Sequence, residues 1–455
     1  MRKTSIFRVQ VRELVENGLL AINDGYRVRN SELGPIGIPF VRGGDIGDGS
    51  INTAVIDHIR PELANRVTSK LTRPGDVAFI TKATVGRVGR IRDGQPAVVF
   101  APQVAYWRSL DESKLDSRFL FYLLKGNEFQ SNLDAVKTHG SMVADYVSMS
   151  DQKLFQITLL PIEGQKRVAS ILGALDDKIE LNRRMNETLE AMARRLFKSW
   201  FVDFDPVHAK AALRREHPKL SNADLSRRAL PNMAPEIAEL FPDCFEDSML
   251  ARIPHAWIPT SLGDETEFLT GVAFKSEFFL LSPPGTRLAR GDNVKEGVFC
   301  WDDKSRFWPK VTPDLERYLL ASGDTLIGMD GSKVGKNWVR VRSCDLPCLR
   351  VQRVARLRPN VSIGENFVWL LVSDWRFRDY VNGTKTRTSI PHISGGQIQA
   401  YQFIRPHAGD NRLFGHFEAA IAPLTRQVDK NYDQTQALTK ARDTLLPRLL
   451  SGELS

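Results

Sequence analysis

The residues of this sequence best suited to a binding function are basic side chains on short loops. Lys or Arg recurs on these loops at matching positions in the two halves of the chain. Lys82 and Arg87 lie around a glycine-containing turn in the first half of the chain, and Lys333 and Lys336 do so in the second half. Lys and Arg neutralise phosphate groups. A formal net charge of +9 and a pI near 9.3 also favour a polyanionic partner. These loops are therefore candidates for contact with nucleic acid.

Two catalytic motifs of DNA-acting proteins have near matches that fail. An amino-methyltransferase needs an Asn/Asp-Pro-Pro-aromatic loop, whereas the segment 282–285 (SPPG) has no aromatic residue to stack on a flipped base. A motor protein needs a phosphate-cradling loop that ends in Gly-Lys-Ser/Thr, whereas the segment 331–337 (GSKVGKN) has another spacing and ends in asparagine. Both segments are better explained as turns.

Cysteine and histidine give little support for a metal site. Of the 4 cysteines, Cys344 and Cys348 lie close together but lack a second pair, so zinc would miss half of its ligands. Four cysteines in 455 residues also indicate a reducing compartment instead of a disulfide scaffold. Nuclease carboxylates follow no regular spacing in a single sequence, so a nuclease stays open as an alternative.

The length of 455 residues predicts two to four domains at about 100 to 200 residues each. Hydrophobic residues make up 42% and charged residues 26%, as in a globular protein. Dense apolar runs such as 368–372 (VWLLV) have the length of strands and fall well short of a membrane helix. The basic start lacks the apolar core of a signal peptide, so we expect a cytoplasmic protein without a membrane partner.

The chain repeats itself with a period of roughly 249 residues, which suits two copies of a domain plus a helix. Segments 73–90 and 322–336 each run from a Gly-Asp pair through a short apolar stretch and a polar loop to a second stretch, at 85–90 and 334–336. This order is typical of a β-hairpin, and we expect the Gly-Asp pairs to set backbone geometry.

Each half ends in a strand-like run closed by proline, at 157–161 and 403–406, followed by a long helical pattern. Steps of three and four define a heptad seam, with Leu172, Leu175, Ile179, Asn182, Leu189 and Leu196 in the first helix and Ile421, Leu424, Val428, Asn431, Leu438 and Leu445 in the second. Asn182 and Asn431 take matching positions, where a buried amide costs stability but fixes register. The alternative is that each helix packs only on its own domain.

Four stretches of the chain resemble the specificity subunits of type I restriction-modification enzymes. They are 165–179 (QKRVASILGALDDKI), 195–207 (RLFKSWFVDFDPV), 240–243 with 253–257 (LFPD, IPHAW), and 441–454 (ARDTLLPRLLSGEL). The segment 408–412 (AGDNR) departs from the more typical 163–167 (EGQKR) of the first half. The resemblance spans nearly the whole chain and is strongest in the long helices.

The resemblance implies an α+β fold with two target-recognition domains, each a mixed or antiparallel β domain with helices, separated by two long spacer helices in an antiparallel coiled coil. The expected boundaries are 1–163 for target-recognition domain 1, 164–205 for the central spacer helix, 206–250 for a linker with partial helix, 251–406 for target-recognition domain 2, and 407–455 for the C-terminal spacer helix. A helix of about 30 residues would span roughly 45 Å, a little over one DNA turn of about 35 Å.

The resemblance also implies a function without catalysis in this chain. A specificity subunit recognises a bipartite, asymmetric site on double-stranded DNA and scaffolds two methyltransferase (modification) subunits, while motor-nuclease (restriction) subunits join for defence against foreign DNA. We therefore expect no cofactor in this chain, and S-adenosylmethionine, ATP and Mg in the partner subunits. A coiled-coil adaptor without specific DNA binding and a stand-alone DNA-modifying enzyme remain as alternatives.

Polar residues on the loops between strands are the predicted DNA contacts, because Arg and Lys reach guanine edges or phosphates. The candidates are Lys82, Thr84, Arg87, Arg90, Lys137, His139 and Ser141 in the first domain, and Ser332, Lys333, Lys336, Lys385, Arg387 and Ser389 in the second.

Overall fold

The computed structural model describes residues 7–83, 85–137, 146–248, 252–360, 362–386, 390–407 and 409–453. The chain divides into two compact units. Unit 1 comprises 1–181 and 435–455, and unit 2 comprises 182–434. Each unit therefore contains parts of both long helices, one from the middle of the chain and one from its end.

Unit 1 combines strands with short helices and the start of the first long helix. Its strands are β1 (Phe7–Gln10), β2 (Leu20–Asp24), β3 (Leu33–Gly34), β4 (Ile38–Val41), β5 (His58–Ile59), β6 (Val77–Ile80), β7 (Val88–Arg90), β8 (Val99–Phe100), β9 (Val104–Ser109) and β10 (Gln156–Leu159). Its helices are α1 (Val11–Glu16), α2 (Ala64–Val67), α3 (Ser117–Lys125), α4 (Asn127–Lys137), α5 (Met149–Leu154) and α6 (Ile162–Phe201), which continues into unit 2.

Unit 2 repeats this order after an additional helical segment. Its strands are β11 (Phe245–Asp247), β12 (Arg252–Pro254), β13 (Ile258–Ser261), β14 (Thr266–Thr270), β15 (Thr286–Ala289), β16 (Val294–Lys295), β17 (Val298–Phe299), β18 (Phe307–Trp308), β19 (Thr325–Gly328), β20 (Trp338–Arg340), β21 (Cys348–Arg350), β22 (Val354–Pro359) and β23 (Gln402–Arg405). Its helices are α7 (Asp205–Glu216), α8 (Asn222–Ala229), α9 (Pro235–Ala238), α10 (Leu262–Glu265), α11 (Glu365–Ser373), α12 (Trp375–Thr384), α13 (Gly395–Gln399) and α14 (Arg412–Leu450), which ends in unit 1.

The central sheet has the same topology in both units. Its order is β2-β9-β6-β7 in unit 1 and β14-β22-β19-β20 in unit 2, with every pair antiparallel. A second sheet in each unit contains one parallel pair, β4 with β8 and β15 with β21. Each unit is thus a mixed β domain with helices, and the predicted α+β fold class is confirmed.

The Gly-Asp pairs hold the central hairpins through more than backbone geometry. Gly75 and Gly323 have φ of +92° and +90°, which glycine adopts without steric cost. The fully buried Asp76 accepts hydrogen bonds from Nε and Nη2 of Arg108 at 2.7 Å each. Asp324 accepts from Nε and Nη2 of Arg358 at 2.7 and 2.8 Å. The same bidentate ion pair therefore fixes the same turn in both units.

The apolar run 368–372 lies in helix α11, not in a strand, so the expectation drawn from its length is wrong. Phe367 and Trp369 are buried in the core of unit 2 together with the whole of this run. A helix that is buried on all sides is apolar on all sides, and a short apolar run therefore does not distinguish it from a buried strand.

In the region expected to be a linker, the described residues 206–248 form three helices that pack around one lysine. Lys210 is fully buried on α7, and its ammonium group donates to Asn222 Oδ1 at 2.8 Å, Ala238 O at 3.1 Å and Phe241 O at 2.5 Å. These acceptors come from α8 and from the end of the α9 segment. Burial lowers the pKa of Lys210 to about 8.

The long helices α6 and α14 pair within each unit. In unit 2, Asn182 Nδ2 donates to Gln434 Oε1 at 3.0 Å, and Asn431 Nδ2 donates to Asn186 Oδ1 at 2.8 Å. Rising numbers on α6 thus meet falling numbers on α14, which makes the pair antiparallel. In unit 1, Arg442 Nη1 of α14 donates to Asp176 Oδ1 of α6 at 2.9 Å.

The seam residues named above are buried or half-buried along both helices. Within the ranges that the structure describes, no helix combines the length and the apolar character needed to cross a membrane.

Candidate nucleic-acid interface

The turn between β6 and β7 presents basic side chains to solvent in unit 1. Lys82 and Arg87 are both exposed, and the backbone of Lys82 forms a bridge with that of Tyr146. Val147 N donates to Thr81 O at 3.0 Å, which ties the same segment to the base of the turn. Ala83 takes φ of +69°, so the turn is held in a tight left-handed conformation.

The other predicted contacts of unit 1 separate into two groups. Thr84, His139 and Ser141 lie outside the described residues, and Lys137 is the last residue of α4. Arg90 lies in strand β7 and not on the loop. It is half-buried near Arg118, Tyr122 and Asp176, and burial together with the charge of Arg118 lowers its pKa. Arg90 thus lies beside α6, and its contact with DNA stays a prediction.

Four predicted contacts of unit 2 line one cleft of about 410 Å³. Ser332, Lys333 and Lys336 come from the turn between β19 and β20, and Lys385 follows the end of α12. The strand of this hairpin begins at Trp338, so residues 334–336, expected in the strand, belong to the turn instead. Arg387 and Ser389 lie outside the described residues.

Lys295 completes the cleft as a fourth lysine. It lies at the end of β16, directly before a turn in which Gly297 has φ of +77°. Its position depends on the β16–β17 hairpin, which brings it next to residues about 40 positions away along the chain. The Val-Lys-Glu-Gly-Val string at 294–298 is a sequence signal that could have indicated this hairpin.

The cleft carries an excess of positive charge together with amide groups. Lys295, Lys333, Lys336 and Lys385 face a single carboxylate, that of Glu296, among its lining residues. Asn382 Oδ1 accepts a hydrogen bond from Lys385 Nζ at 2.9 Å. Ammonium groups attract phosphate, and amide groups can pair with base edges. The arrangement is therefore suited to a polyanion that offers both groups.

At the base of the unit 2 turn, the residues that match Lys82 and Tyr146 in unit 1 are Asp330 and His392. Their backbones form the corresponding bridge. His392 Nδ1 lies 3.0 Å from Met329 O, and Arg353 Nη1 lies 3.3 Å from His392 Nε2. The bridge is thus repeated, but the side chains on it differ in charge.

An aromatic pocket of about 550 Å³ lies elsewhere in unit 2. Phe201, Phe204, Phe245 and Tyr401 contribute rings to it, and Arg252 lies at its lining. None of the predicted DNA contacts that the structure describes lines this pocket. We therefore treat it as separate from the candidate interface.

Within the described ranges, no group of three or more His, Cys, Asp or Glu side chains is placed to hold a metal ion. Burial raises the pKa of Cys344 to about 12 and also raises that of Cys348.

Comparison with known proteins gives consistent matches. Residues 16–191 match the family model described as the type I restriction modification DNA specificity domain. The HindI specificity subunit of Haemophilus influenzae is 24% identical over 380 residues, which cover 74% of this chain and 77% of that protein. The EcoAI specificity subunit of Escherichia coli is 26% identical over 317 residues, covering 64% and 52%.

One solved structure shows the same fold. The S subunit of a type I restriction-modification system from M. genitalium superposes with a TM-score of 0.54 at 16% sequence identity, covering 99% of this chain and 97% of that one.

Proposed function

We propose that this chain is a DNA specificity subunit of a type I restriction-modification enzyme, and from that premise we infer how it reads DNA. Unit 1 contacts one half of a bipartite, asymmetric site through the turn with Lys82 and Arg87. Unit 2 contacts the other half through its four-lysine cleft. The chain itself carries out no catalysis and acts in the cytoplasm, where its DNA substrate is found.

The observation that supports this proposal most directly is the repeated hairpin with its variable turn. The bidentate pairs Asp76–Arg108 and Asp324–Arg358 hold the same framework in both units, while the exposed residues of the turns differ. A common framework with different exposed groups is what two readers of different half-sites require.

The lysines of the cleft suit phosphate contact, and the exposed amide of Asn382 suits base contact. Lysine is a flexible point charge that binds phosphate without selecting a base. Asn382 offers the donor and acceptor pair that recognises adenine in the major groove, whereas the Oδ1 of Asn337 is buried. We therefore assign positioning to the lysines and base selection to Asn382.

The paired helices α6 and α14 serve in this proposal as the scaffold for two modification subunits. Those subunits would bring S-adenosylmethionine and methylate adenine, and motor-nuclease subunits with ATP and Mg would join for restriction. The exposed sides of the helices are charged and mixed in sign, with Arg183–Glu187 and Arg194–Glu190 as examples in unit 2. Such a surface suits a partner that docks through polar contacts.

Adenine methylation mapped across a genome tests the proposal. The presumed modification subunit is expressed with the chain, without it, and with the variant Lys295→Ala/Lys333→Ala. We expect methylation at one split motif with the wild-type chain, none without it, and reduced occupancy of the same motif with the variant. Methylation that is the same with and without the chain would indicate an adaptor, and methylation by the chain alone would indicate an enzyme.

A further inference from the structure

The aromatic pocket of unit 2 is built in part by two of the segments that resemble specificity subunits. Phe201 and Phe204 come from the segment 195–207, and Ile253 comes from the segment 253–257. The volume of about 550 Å³ is enough to enclose a large side chain or a small ligand. The DNA-reading turns lie elsewhere, so reading DNA does not explain why these segments surround a cavity.

Tyr401 gives this pocket a polar group without a partner. The residue is only 8% exposed, and its hydroxyl forms no hydrogen bond within the ranges that the structure describes. Burial raises the pKa of this hydroxyl to about 12, and the positive charge of Arg376 opposes this rise. The hydroxyl is therefore a neutral donor near the Arg376 guanidinium. A buried donor without an acceptor costs stability unless a bound group accepts from it.

Two guanidinium groups make the lining of the pocket positive. Arg252 is exposed, and its guanidinium carbon lies 5.4 Å from the centre of the Phe245 ring. Arg376 donates from Nε to Asp374 Oδ1 at 2.9 Å, and its two Nη groups have no acceptor among the described residues. Both arginines therefore keep N–H donors that a carboxylate of a ligand can use.

The acidic side chains nearby leave this positive charge in place. Asp203 is the single carboxylate among the described lining residues, and Lys198 already pairs with it. Asp247 is the cross-strand neighbour of Arg252, yet no ion pair joins the two side chains. The pocket therefore combines aromatic walls with an excess of positive charge, which suits a ligand that is apolar at one end and acidic at the other.

Unit 1 lacks these groups at the matching positions. Glu128 is the second residue of α4, as Arg376 is the second residue of α12, and it accepts hydrogen bonds from Thr158 N at 2.8 Å and Oγ1 at 3.0 Å. Phe155 directly precedes β10, as Tyr401 directly precedes β23. Unit 1 thus has a satisfied carboxylate and a phenyl ring where unit 2 has guanidinium donors and a hydroxyl without a partner.

We propose that the aromatic pocket of unit 2 docks an acidic segment of one modification subunit through a large apolar side chain. The apolar side chain enters between the aromatic walls, and a neighbouring Asp or Glu accepts hydrogen bonds from Arg252, Arg376 and the Tyr401 hydroxyl. An apolar anchor in a pocket with complementary charge beside it gives both affinity and orientation.

The position of the pocket favours a protein segment over DNA. Phe201 is the last residue of α6, the helix that the proposed function assigns to the modification subunits, so a segment docked here continues that surface. This inference rests on the proposed function. It adds that the two modification subunits are held unequally, because unit 1 does not repeat the polar groups of the pocket.

Native mass spectrometry of the assembled complex gives the first test. The full chain is titrated with the modification subunit, and the wild type is expected to carry two copies. Arg252→Glu reverses the charge of an exposed side chain, so one of the two copies should bind about 10-fold more weakly. Arg228→Glu, which reverses another exposed arginine of unit 2 outside the pocket, is the control and should assemble like the wild type.

Tyr401→Phe gives the second test, because it places in unit 2 the residue type that unit 1 has. Removal of a buried hydroxyl without a partner should leave the unfolding midpoint of the free chain unchanged or raise it, while one modification subunit binds about 5-fold more weakly. A purely structural tyrosine would instead lower the midpoint and leave assembly of the folded chain unchanged.

Three outcomes decide the matter. Assembly of both pocket variants with wild-type affinity would overturn the docking proposal and leave the proposed function intact. Equal weakening of both modification subunits would also overturn it, because the pocket serves one of them. A wild-type chain that binds no modification subunit would contradict the proposed function itself, together with this inference.

Discussion

Unit 1 and unit 2 hold the same hairpin with the same ion pair, yet they surround its turn with different chemistry. In unit 1 the turn exposes Lys82 and Arg87, and Lys82 bridges to Tyr146. In unit 2 the β16–β17 hairpin, which matches the Ile46–Ile51 bridge of unit 1, carries Lys295, and the turn becomes one wall of a cleft. The buried framework is therefore repeated, while the exposed groups around it differ, as our proposal of two different half-sites requires.

Removal of the Asp–Arg ion pairs should cause the largest loss of stability, because both units depend on the same framework. Asp76→Ala leaves Arg108 without its carboxylate in a mostly buried site, and we expect unit 1 to lose about 3 kcal/mol of unfolding free energy. Asp324→Ala should cost unit 2 less, about 2 kcal/mol, because Arg358 is more exposed and solvent screens its charge. Urea denaturation of both variants measures this, and Asp57→Ala, in an exposed ion pair, is the control. Two losses below about 0.5 kcal/mol would show that the pairs do not hold the hairpins.

Replacement of two lysines of the unit 2 cleft should have the next largest effect. It should weaken DNA binding and leave stability unchanged. Lys295→Ala/Lys333→Ala removes two ammonium groups from the cleft, and we expect DNA affinity to fall by about 30-fold with the salt dependence reduced by about two phosphate contacts. Lys304→Ala is a matched control, since this lysine does not line the cleft. Fluorescence anisotropy across a salt series measures both quantities. An unchanged salt slope would remove the cleft from the interface.

The buried lysine gives unit 2 a pH dependence from a segment that precedes the repeated framework. The pKa of Lys210 is lowered to about 8 in the folded state, below its ordinary value of 10.5. Above pH 8 the folded state loses this proton while the unfolded state keeps it, so stability should rise by about 1 kcal/mol per pH unit up to pH 10.

The variant Lys210→Met should lack this rise, and the difference between the two proteins isolates Lys210 from other titrating groups. Denaturation at pH 8, 9 and 10 measures it. Parallel curves for both proteins would show that Lys210 does not titrate in this range.

Replacement of an asparagine in the seam between α6 and α14 should cause the smallest loss of stability. Asn431→Ala removes the donor to Asn186 Oδ1, and we expect unit 2 to lose about 1 kcal/mol. Asn431→Asp keeps an acceptor but removes the donor, and it should be at least as destabilising. Thermal unfolding compares them with Lys430→Ala on the exposed side of α14. If the Asn431→Ala variant were more stable than the wild type, the amide would fix the register of the two helices without stabilising them.

The sequence predicted those features that are local or repeated. The heptad pattern located both long helices, and the repeat located both hairpins, because each depends on neighbouring residues or on comparison of two copies. Pro161 closes the strand-like run as expected, and α6 begins at the next residue, Ile162, two residues before the expected boundary at 164. The lysines of the unit 2 turn were found for the same reason.

Features that depend on distant contacts were missed. Arg108 and Arg358 meet their aspartates across 32 and 34 residues, and nothing in the local pattern of Asp76 or Asp324 indicates the partner. Lys295 reaches the cleft only because the β16–β17 hairpin brings it there. The half-buried position of Arg90 beside Arg118 and Tyr122 was likewise not visible in the sequence.

Exchange of one unit's reading region tests the central claim most directly. Residues 1–163 are replaced by the corresponding residues of a relative with a different methylation motif, and adenine methylation is mapped with the same modification subunit. We predict that one half of the split motif changes to that of the relative while the other half and the gap stay the same. A change in both halves, or in neither, would contradict the claim that each unit reads its own half-site.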